Sequence, residues 1–373
     1  MAERLSANMK LTAQCKRAFP DLERTALSKR ASSIEADIYE KCISSDDYQE
    51  RCQAALDELS THVKHAESAD TTGDSYVPEI DRPVERIGPY AATYHASGLF
   101  STIYRSASDS HPGGLIAIKL TTPSAMVAPH NAYREARILR LAAHGTVIPI
   151  HSSQAISGGQ YIMTFPFLPY DLATLLDRGS LTKAQIRSHL YALFDALAFC
   201  HSRGILHRDV KPSNILLKSA SGPAYLADFG IAWTSEDPES EAADEKITDI
   251  GTTCYRAPEL LFGNSRYGKG VDLWAAGCVV AEAENQGISL FDSGDVGSEL
   301  ALIRSIFSTL GTPNDTTWPE AKAFPDWGKM AFREYPSRNW HEIIPEAGEH
   351  GRDLVARLVG YESGQRLPAG RVS

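Results

Sequence analysis

The sequence predicts an α+β fold with two lobes, a small β-rich lobe and a large helical lobe, preceded by an amino-terminal helical module. Three observations support this prediction. Apolar residues up to about residue 60 recur at spacings of three or four, the period of an amphipathic helix. Short β-like runs follow residue 89. From Leu172 onward helical patterns dominate, so a cleft is expected between the two lobes.

The chain is predicted to contain three segments. The first, residues 1–62, is expected to form about three helices, because two sets of apolar residues have helical spacing. These sets are Leu27, Ala31, Ile34 and Ile38, and then Tyr48, Cys52, Ala55 and Leu59. The second segment, residues 63–88, is polar with two prolines and no sustained period, which is typical of a linker. The third, residues 89–373, is expected to form the two-lobed domain.

The composition argues against several classes of protein. The 373 residues, 43% of them hydrophobic, suffice for one large domain and a small module. A net charge of -10 argues against a basic surface that binds nucleic acid directly. No stretch approaches the roughly 18 apolar residues of a membrane span, and the amino terminus lacks the apolar core of a signal peptide. The six cysteines form no C-x-x-C pair, so the nucleus or cytoplasm is expected.

Phosphoryl transfer from a nucleotide needs a lysine to hold phosphates, acids to hold Mg²⁺ and a carboxylate to orient the attacking hydroxyl. Lys119 ends the strand-like run IAIK, and Glu135 follows on the next predicted helix, where it can form an ion pair with the lysine. An isolated lysine in a strand is commonly structural. The motifs that follow in order favour the functional interpretation.

The string HRDVKPSN supplies Asp209 as the catalytic carboxylate, Lys211 as a cation near the transferred phosphate and Asn214 as a Mg²⁺ ligand. DFG supplies Asp228 for the bridging Mg²⁺, since oxygen ligands suit this hard cation. Either string alone could occur by chance at a turn. HRD, DFG and then APE at 257–259, in this order, indicate a kinase that uses ATP and Mg²⁺.

The glycine-rich phosphate loop is the weakest of the motifs. The pattern G-x-G-x-x-G becomes ASGLFS, in which Ala96 and Ser101 replace the first and third glycines and only Gly98 remains. Because glycine lets the backbone approach phosphates closely, this loop is expected to be stiffer or to bind ATP less tightly. Gly98 holds the central position, which favours retained function.

With these motifs the chain resembles the eukaryotic protein kinases, and more narrowly the cyclin-dependent kinase group. The large lobe carries YRAPELLFG, GVDLWAAGC and IFSTLGTPND followed by WPE. PHNAYRE, at 129–135, occupies the place of the group's cyclin-contact helix, so the resemblance allows a cyclin partner there. The fungal-type CDK-activating kinases and the cell-cycle-related kinases are the most similar. Lys211 implies that the acceptor is a Ser or Thr hydroxyl.

The resemblance also implies a nucleotide pocket. Phe165 would be the gatekeeper, and adenine would hydrogen-bond to the Pro166 carbonyl and the Leu168 backbone. The other implied nucleotide contacts, beside Gly98 and Lys119, are Ile103, Ala117, Asp171 and Leu216. The implied spine between the lobes is Leu139, Ile150, His207 and Phe229, and the implied structural ion pair is Glu259 with Arg366. Each of these residues has an equally good interpretation as a packed residue.

Two departures from the family concern regulation and length. The kinases of the cell-cycle engine are inhibited by phosphates in the glycine-rich loop, at positions that hold Leu99 and Phe100 here. That inhibition cannot operate, which favours the activating kinases. The sequence also stops after QRLPAGRVS, where the family continues, so the final helix is expected to be truncated.

A further departure lies in the activation segment. The group's phosphothreonine is held by three arginines, of which Arg134 and Arg208 match two, whereas Trp233 replaces the third. The phosphothreonine position falls on Ile247, with Thr248 beside it. We therefore predict that the kinase is active without phosphorylation of this segment.

The run SEDPESEAADE, at 235–245, holds six acids in eleven residues and precedes the aligned phosphothreonine position. It could supply negative charge to the two arginines, although a charge run more commonly forms a solvated loop. Thr252 is expected to be the family's structural threonine that contacts Asp209.

Three functions are open to such a chain. The leading one is phosphorylation of Ser or Thr on the activation segment of a cyclin-dependent kinase or on the transcription machinery. A pseudokinase scaffold is the second, and the retained catalytic residues argue against it. The third is a transcriptional adaptor. IEADIYEK and DYQERCQAAL resemble a KIX-type domain, whose groove would bind an amphipathic helix of a transcription factor. The alternative is a plain helical extension.

Overall fold

The computed structural model describes residues 33–34, 38–39, 41–42, 47–56, 83–108, 114–294 and 297–372. The chain divides into two units, Met1–Val77 and Pro78–Ser373, at a point inside the predicted linker. In the first unit residues 47–56 are helical, and the predicted helical positions Tyr48 and Cys52 are buried. Most of the KIX-like region and of the linker lies outside the described residues, so these assignments stay predictions.

The small lobe is a six-stranded antiparallel sheet in the order β1-β2-β3-β4-β6-β5. Its strands are β1 Val84–Ile87, β2 Tyr90–Ser97, β3 Ser101–Ala107, β4 Leu115–Thr121, β5 Ser152–Ile156 and β6 Gln160–Pro166. Strand β1 pairs with β2, so the sheet begins at Val84, five residues before the predicted domain boundary at residue 89. The short, exposed β1 has too little alternation to be recognised from sequence.

Strand β4 shows how the sheet positions a functional lysine. Ile116 and Ile118 point into an apolar cluster that also contains Tyr104 and Ile162. Because successive side chains of a strand alternate between faces, Lys119 projects from the opposite face. The core on one face thereby fixes the direction of the lysine on the other.

Helix α1, Ala132–Leu141, follows β4 and confirms the predicted helical run. Asn131 caps it by accepting a hydrogen bond from the backbone N–H of Arg134 at 2.9 Å. Glu135 lies in the first turn, where a negative charge suits the helix dipole. Ile138 and Leu139 are buried, so the helix packs as part of the core while presenting Glu135 to the sheet.

The large lobe is mainly helical and carries a small sheet of three antiparallel strands in the order β7-β8-β9. Its elements are β7 Tyr170–Asp171, α2 Leu172–Asp177, α3 Lys183–Ser202, β8 Ile215–Leu217, β9 Ala224–Leu226, α4 Pro258–Leu261, α5 Gly270–Glu284, α6 Glu299–Leu310, α7 Trp340–Ile343 and α8 Glu349–Leu358. A capping box between Thr182 and Gln185 starts α3. Helix α5 is buried on nearly all sides, which explains its continuous apolar sequence.

A buried ion pair links α4 to the end of the chain. Arg366 donates to both carboxylate oxygens of Glu259, at 2.5 and 2.8 Å, which confirms the predicted pair. It also donates to the Gly270 carbonyl at 2.8 Å, at the start of α5. None of the helices in the described ranges combines the length and apolar character of a membrane-spanning segment.

Candidate active site

Lys119 lies between two carboxylates. Its Nζ is 2.7 Å from Glu135 Oε1 and 2.8 Å from Asp228 Oδ1. The first contact confirms the predicted ion pair, and the second joins β4 to the segment after β9. Burial opposes the charge of the lysine, but the two carboxylates outweigh it and raise the Lys119 pKa. Lys119 in turn lowers the pKa of Asp228, so both groups are charged at neutral pH.

Asp209 is the centre of a hydrogen-bonded network on the predicted catalytic loop. Lys211 Nζ lies 2.9 Å from Asp209 Oδ2, and the Asn214 side chain donates to the same oxygen at 3.0 Å. Thr252 donates to Asp209 Oδ1 through both its N–H and its hydroxyl, each at 3.0 Å. The predicted structural role of Thr252 is confirmed. The network fixes the direction of the carboxylate.

A buried carboxylate beneath the loop fixes its backbone. Asp272, on α5, accepts from the N–H of His207 at 2.9 Å and from that of Arg208 at 2.8 Å. Arg208 and Asp228 both adopt left-handed backbone conformations, with φ of 70° and 61°. Such conformations are costly for non-glycine residues and persist where surrounding contacts impose them, commonly at functional sites.

The residues of the predicted spine are buried or partly buried, and two of them are in ring contact. The His207 ring meets the Phe229 ring edge to face, with centroids 4.7 Å apart, and His207 Nε2 lies 2.9 Å from the Ala227 carbonyl. Leu139 and Phe229 are buried, and Ile150 packs partly buried against the same core. Leu139 of α1 and Phe229 of the DFG segment are thus members of the same core cluster.

Two residues of the implied adenine pocket lie opposite each other on neighbouring strands. Phe165 is buried and opposite Ala117 in the β4–β6 register, and Pro166 follows it at the end of β6. The remaining apolar members are only partly buried, as a surface that takes a flat apolar ring requires; they are Ile103, Ala117, Leu168 and Leu216.

Asp171 has a structural role that was not predicted from the sequence. Its carboxylate caps α2, accepting from the Thr174 N–H at 2.9 Å and from the Thr174 hydroxyl at 2.8 Å. A carboxylate has further lone pairs, so a nucleotide contact remains compatible with this role. The capping bonds nevertheless restrict the direction in which Asp171 can accept.

The glycine-poor loop closes as a tight turn between β2 and β3. The Gly98 N–H donates to the Ser101 carbonyl at 2.7 Å. Leu99 at the tip is 82% exposed, whereas Phe100 packs on the His130 ring with centroids 4.7 Å apart. Half-burial lowers the His130 pKa, which keeps this ring neutral and apolar towards Phe100. The loop is therefore held by an aromatic contact at its tip.

The oxygen atoms of Asn214 and Asp228 fit Mg²⁺. The Asn214 amide nitrogen is engaged by the Asp209 carbonyl at 2.8 Å, which leaves its oxygen as the available donor. The Asp228 side chain is half exposed beside Lys119. Among the described residues no group of three His, Cys, Asp or Glu side chains could hold a metal ion. Mg²⁺ is commonly bound by one or two protein oxygen ligands together with the phosphates of the substrate.

Residues 96–372 match the family described as the protein kinase domain. The chain belongs to the protein kinase family. The kinase is 43% identical over 242 residues to the serine/threonine-protein kinase csk1 of Schizosaccharomyces pombe, covering 63% of this chain and 77% of csk1. It is 35% identical over 245 residues to human cyclin-dependent kinase 20, covering 65% and 68% of the two chains.

A solved structure of the CAK complex from Chaetomium thermophilum bound to ATP-gamma-S has a TM-score of 0.64 and 29% identity, covering 74% of this kinase and 86% of that chain. The resemblance to the cyclin-dependent kinase group and the two-lobed kinase fold are thereby confirmed. The protein is a serine/threonine protein kinase that uses ATP and Mg²⁺, and the pseudokinase alternative is not favoured.

The activation segment of the kinase confirms the interpretation that the acidic run supplies negative charge to the two arginines. In the folded chain Glu241 lies between Arg134 and Arg208. Its carboxylate oxygens are 3.4 Å from Arg134 Nη1 and 3.0 Å from Arg208 Nη1. Ile247, at the aligned phosphothreonine position, instead packs on the core, and its carbonyl accepts from the Tyr267 hydroxyl at 2.8 Å. Trp233, which replaces the third arginine, donates from Nε1 to the Glu241 carbonyl at 2.9 Å.

Sequence reasoning missed Arg137. This residue lies one turn after Arg134 on α1 and forms a two-point ion pair with Asp237, at 2.6 and 2.9 Å. Asp237 is only 6% exposed, so this part of the acidic run is not the solvated loop that charge runs commonly form. The available signal was the pair of arginines spaced by three on one helix, together with an acidic run of opposite charge.

Proposed function

We propose that this kinase transfers the γ-phosphate of ATP to a Ser or Thr hydroxyl in the activation segment of a cyclin-dependent kinase. The observation that carries the catalytic part is the assembled Lys119 pair with Glu135 at 2.7 Å, beside Asp228 at 2.8 Å. The substrate part rests on similarity to the CAK complex, in which CAK denotes a CDK-activating kinase, and to csk1.

Each side chain has a proposed role that follows from its position. Asp209, fixed by its network, orients the attacking hydroxyl and accepts its proton. Lys211 neutralises charge beside it, and Lys119 holds the phosphates of ATP. Asn214 and Asp228 would hold Mg²⁺, which would supply positive charge to neutralise the phosphates. The chain's contribution is thus positioning and electrostatic stabilisation.

The test is an assay of the purified kinase with Mg·ATP on an inactive cyclin-dependent kinase, without added cyclin. Phosphorylation of the substrate's activation segment is expected, and Asp228→Ala should abolish it. Equal activity of the Asp228→Ala protein would show that the phosphate transfer is not this chain's own. If the enzyme phosphorylated an RNA polymerase tail peptide and not the cyclin-dependent kinase, its substrate would belong to the transcription machinery.

A cyclin at the 129–135 surface is a second partner proposal. PHNAYRE keeps Pro129, Ala132, Arg134 and Glu135 of the group's contact motif, and Tyr133 is 42% exposed there. A shallow cavity of about 320 Å³ borders this surface. A rise in activity on adding the cyclin of the same organism, lost with Tyr133→Glu, would support the proposal. Unchanged activity would argue against it.

For the amino-terminal helices we propose binding of an amphipathic transcription-factor helix, in a protein that acts in the nucleus or cytoplasm. Only the KIX-like resemblance supports this proposal. Deletion of residues 1–80 should then weaken phosphorylation of the natural substrate. Unchanged phosphorylation would contradict an adaptor function, and fractionation of cells that express a tagged protein would test its location.

A further inference from the structure

Three arginines of the kinase face the acidic segment, defined as residues 237–241. Two lie on α1, Arg134 and Arg137, and the third is Arg208 in the catalytic loop. Arg134 and Arg208 are almost fully buried, 3% and 4% exposed. Two buried guanidinium groups close together repel each other, and burial together with Arg208 lowers the Arg134 pKa. Such a pair is stable only when an anion lies with it.

Glu241 supplies that anion. Its carboxylate spans the two buried arginines, with contacts of 3.4 Å to Arg134 and 3.0 Å to Arg208. Burial opposes ionisation of Glu241, but Arg208 and then Arg134 outweigh it, so the pKa of this carboxyl falls below its ordinary value. The carboxylate is therefore charged at neutral pH.

Asp237 and Glu239 hold the outer face of the helix. Arg137 makes its two-point pair with Asp237 and a third bond to Glu239 Oε2 at 2.8 Å. Glu239 Oε2 also accepts from the Asn131 side chain at 2.9 Å, at the cap of α1. Three carboxylates thus face three guanidinium groups, and their formal charges balance.

Two of these arginines are adjacent in sequence to residues of the catalytic site. Arg134 precedes Glu135, the partner of Lys119, and Arg208 precedes Asp209. A carboxylate that joins Arg134 to Arg208 therefore couples the position of α1 to the conformation of the catalytic loop. The Arg137 pairs resist rotation or outward movement of the same helix.

We infer that Asp237, Glu239 and Glu241 are positioning residues that hold α1 and the catalytic loop in the arrangement for phosphoryl transfer, with no phosphate in the activation segment. The inference rests on the proposed phosphoryl transfer at Asp209, although not on the identity of the substrate. Among the described residues Arg208 Nη2 is buried without a hydrogen-bond partner, so Glu241 satisfies only some of the donors of Arg208. Because the inference requires no phosphate in the activation segment, the decisive experiment is to remove any phosphate from that segment and measure activity.

The first arm compares the full-length kinase before and after treatment with a protein phosphatase, with mass spectrometry to confirm that the activation segment is unmodified. The phosphatase-treated protein is expected to keep its kcat on an inactive cyclin-dependent kinase. Loss of activity that returns when Thr248 or another activation-segment residue is phosphorylated would overturn the inference and leave the proposed function intact. If the untreated protein were inactive as well, both the inference about the acidic segment and the proposed function would be overturned.

The second arm uses substitutions. Glu241→Gln should lower kcat about 10- to 100-fold, because small displacements of catalytic groups cost about this much. The matched control is Glu236→Gln, an exposed acid of the same run, which should behave as the wild type. An unchanged kcat in the Glu241→Gln protein would overturn the inference.

A charge exchange separates positioning from a purely structural contribution. Arg137→Asp and Asp237→Arg should each lower kcat, and the double variant should recover part of the loss when all three proteins are assayed at a temperature at which circular dichroism shows them folded. If the double variant were no better than the worse single one, the Arg137–Asp237 pair would not position the helix.

Discussion

At the scale of single residues, the site depends on charges whose partners are close and fixed. Thr252 and Lys211 together contact both oxygens of Asp209, and the Thr252 hydroxyl accepts from Lys211 Nζ at 2.8 Å. The catalytic loop and the activation segment therefore share one hydrogen-bonded network. A change in either segment alters the direction of the carboxylate.

Asp209→Asn tests the role of this carboxylate. The amide cannot accept the proton of the attacking hydroxyl, so kcat should fall by about 10²- to 10⁴-fold, while the KM for ATP changes little. Steady-state kinetics with the same protein substrate measure both constants. A kcat within a factor of two of the wild type would show that another group carries the proton.

The acidic segment gives a prediction about pH. The hydrogen bonds from Arg137 are the main cause of the lowered Asp237 pKa. A carboxyl with a lowered folded pKa stabilises the protein above its unfolded pKa, about 4, and loses that contribution as pH falls through the folded value. Asp237→Asn should therefore lower the melting temperature at pH 7, and the difference from wild type should shrink below pH 4. A difference independent of pH would exclude the ion pair as its source.

At the scale of elements, the glycine-poor loop is the part that departs most from the family pattern. Its turn closes on the hydrogen bond between Gly98 and Ser101, and its tip rests on His130 through Phe100. The ring contact limits the movement that additional glycines would otherwise allow.

Phe100→Ala should raise the KM for ATP severalfold, because the loop over the phosphates loses its packed tip. Leu99→Ala is the matched control, since Leu99 is 82% exposed, and it should leave the KM unchanged. The measurement is ATP titration at saturating protein substrate. Equal effects of the two substitutions would show that loss of apolar surface in general, and not the His130 contact, is responsible.

The sequence predicted the parts of the site that lie in contiguous motifs. HRDVKPSN and DFG fix the relative order of Asp209, Asn214 and Asp228, and a strand followed by a helix places Glu135 within reach of Lys119. The pair of Arg137 with Asp237 joins residues 100 positions apart. Opposite charges at such separation have many alternative partners, so only the folded chain selects this one.

At the scale of the whole molecule, buried ion pairs connect distant parts of the chain. Arg366 reaches Glu259, 107 positions away, with both side chains almost fully buried. This pair was foreseen from the family resemblance, whereas the start of the sheet at Val84 was not, because β1 has no strong period. Long-range contacts are predictable where a family pattern supplies them and otherwise depend on the fold.

Arg366→Met should destabilise the kinase by about 3–5 kcal/mol, because it leaves Glu259 as a buried charge without its partner. Chemical denaturation monitored by tryptophan fluorescence measures this free energy. Lys322→Met is the control: its pair with Asp315, at 3.4 Å, is exposed and should contribute less than about 1 kcal/mol. Similar losses in the two variants would contradict the buried-pair argument.

The place of Glu241 between Arg134 and Arg208 has a consequence for signalling. A phosphate is added by one enzyme and erased by another, whereas a glutamate is present from translation onward. If Glu241 replaces the phosphate that would hold Arg134 and Arg208, no phosphatase can return the kinase to an inactive state. The rate of substrate phosphorylation would then depend on how much of the kinase is synthesised and degraded, and on the supply of substrate. This behaviour is expected of the first kinase in a cascade.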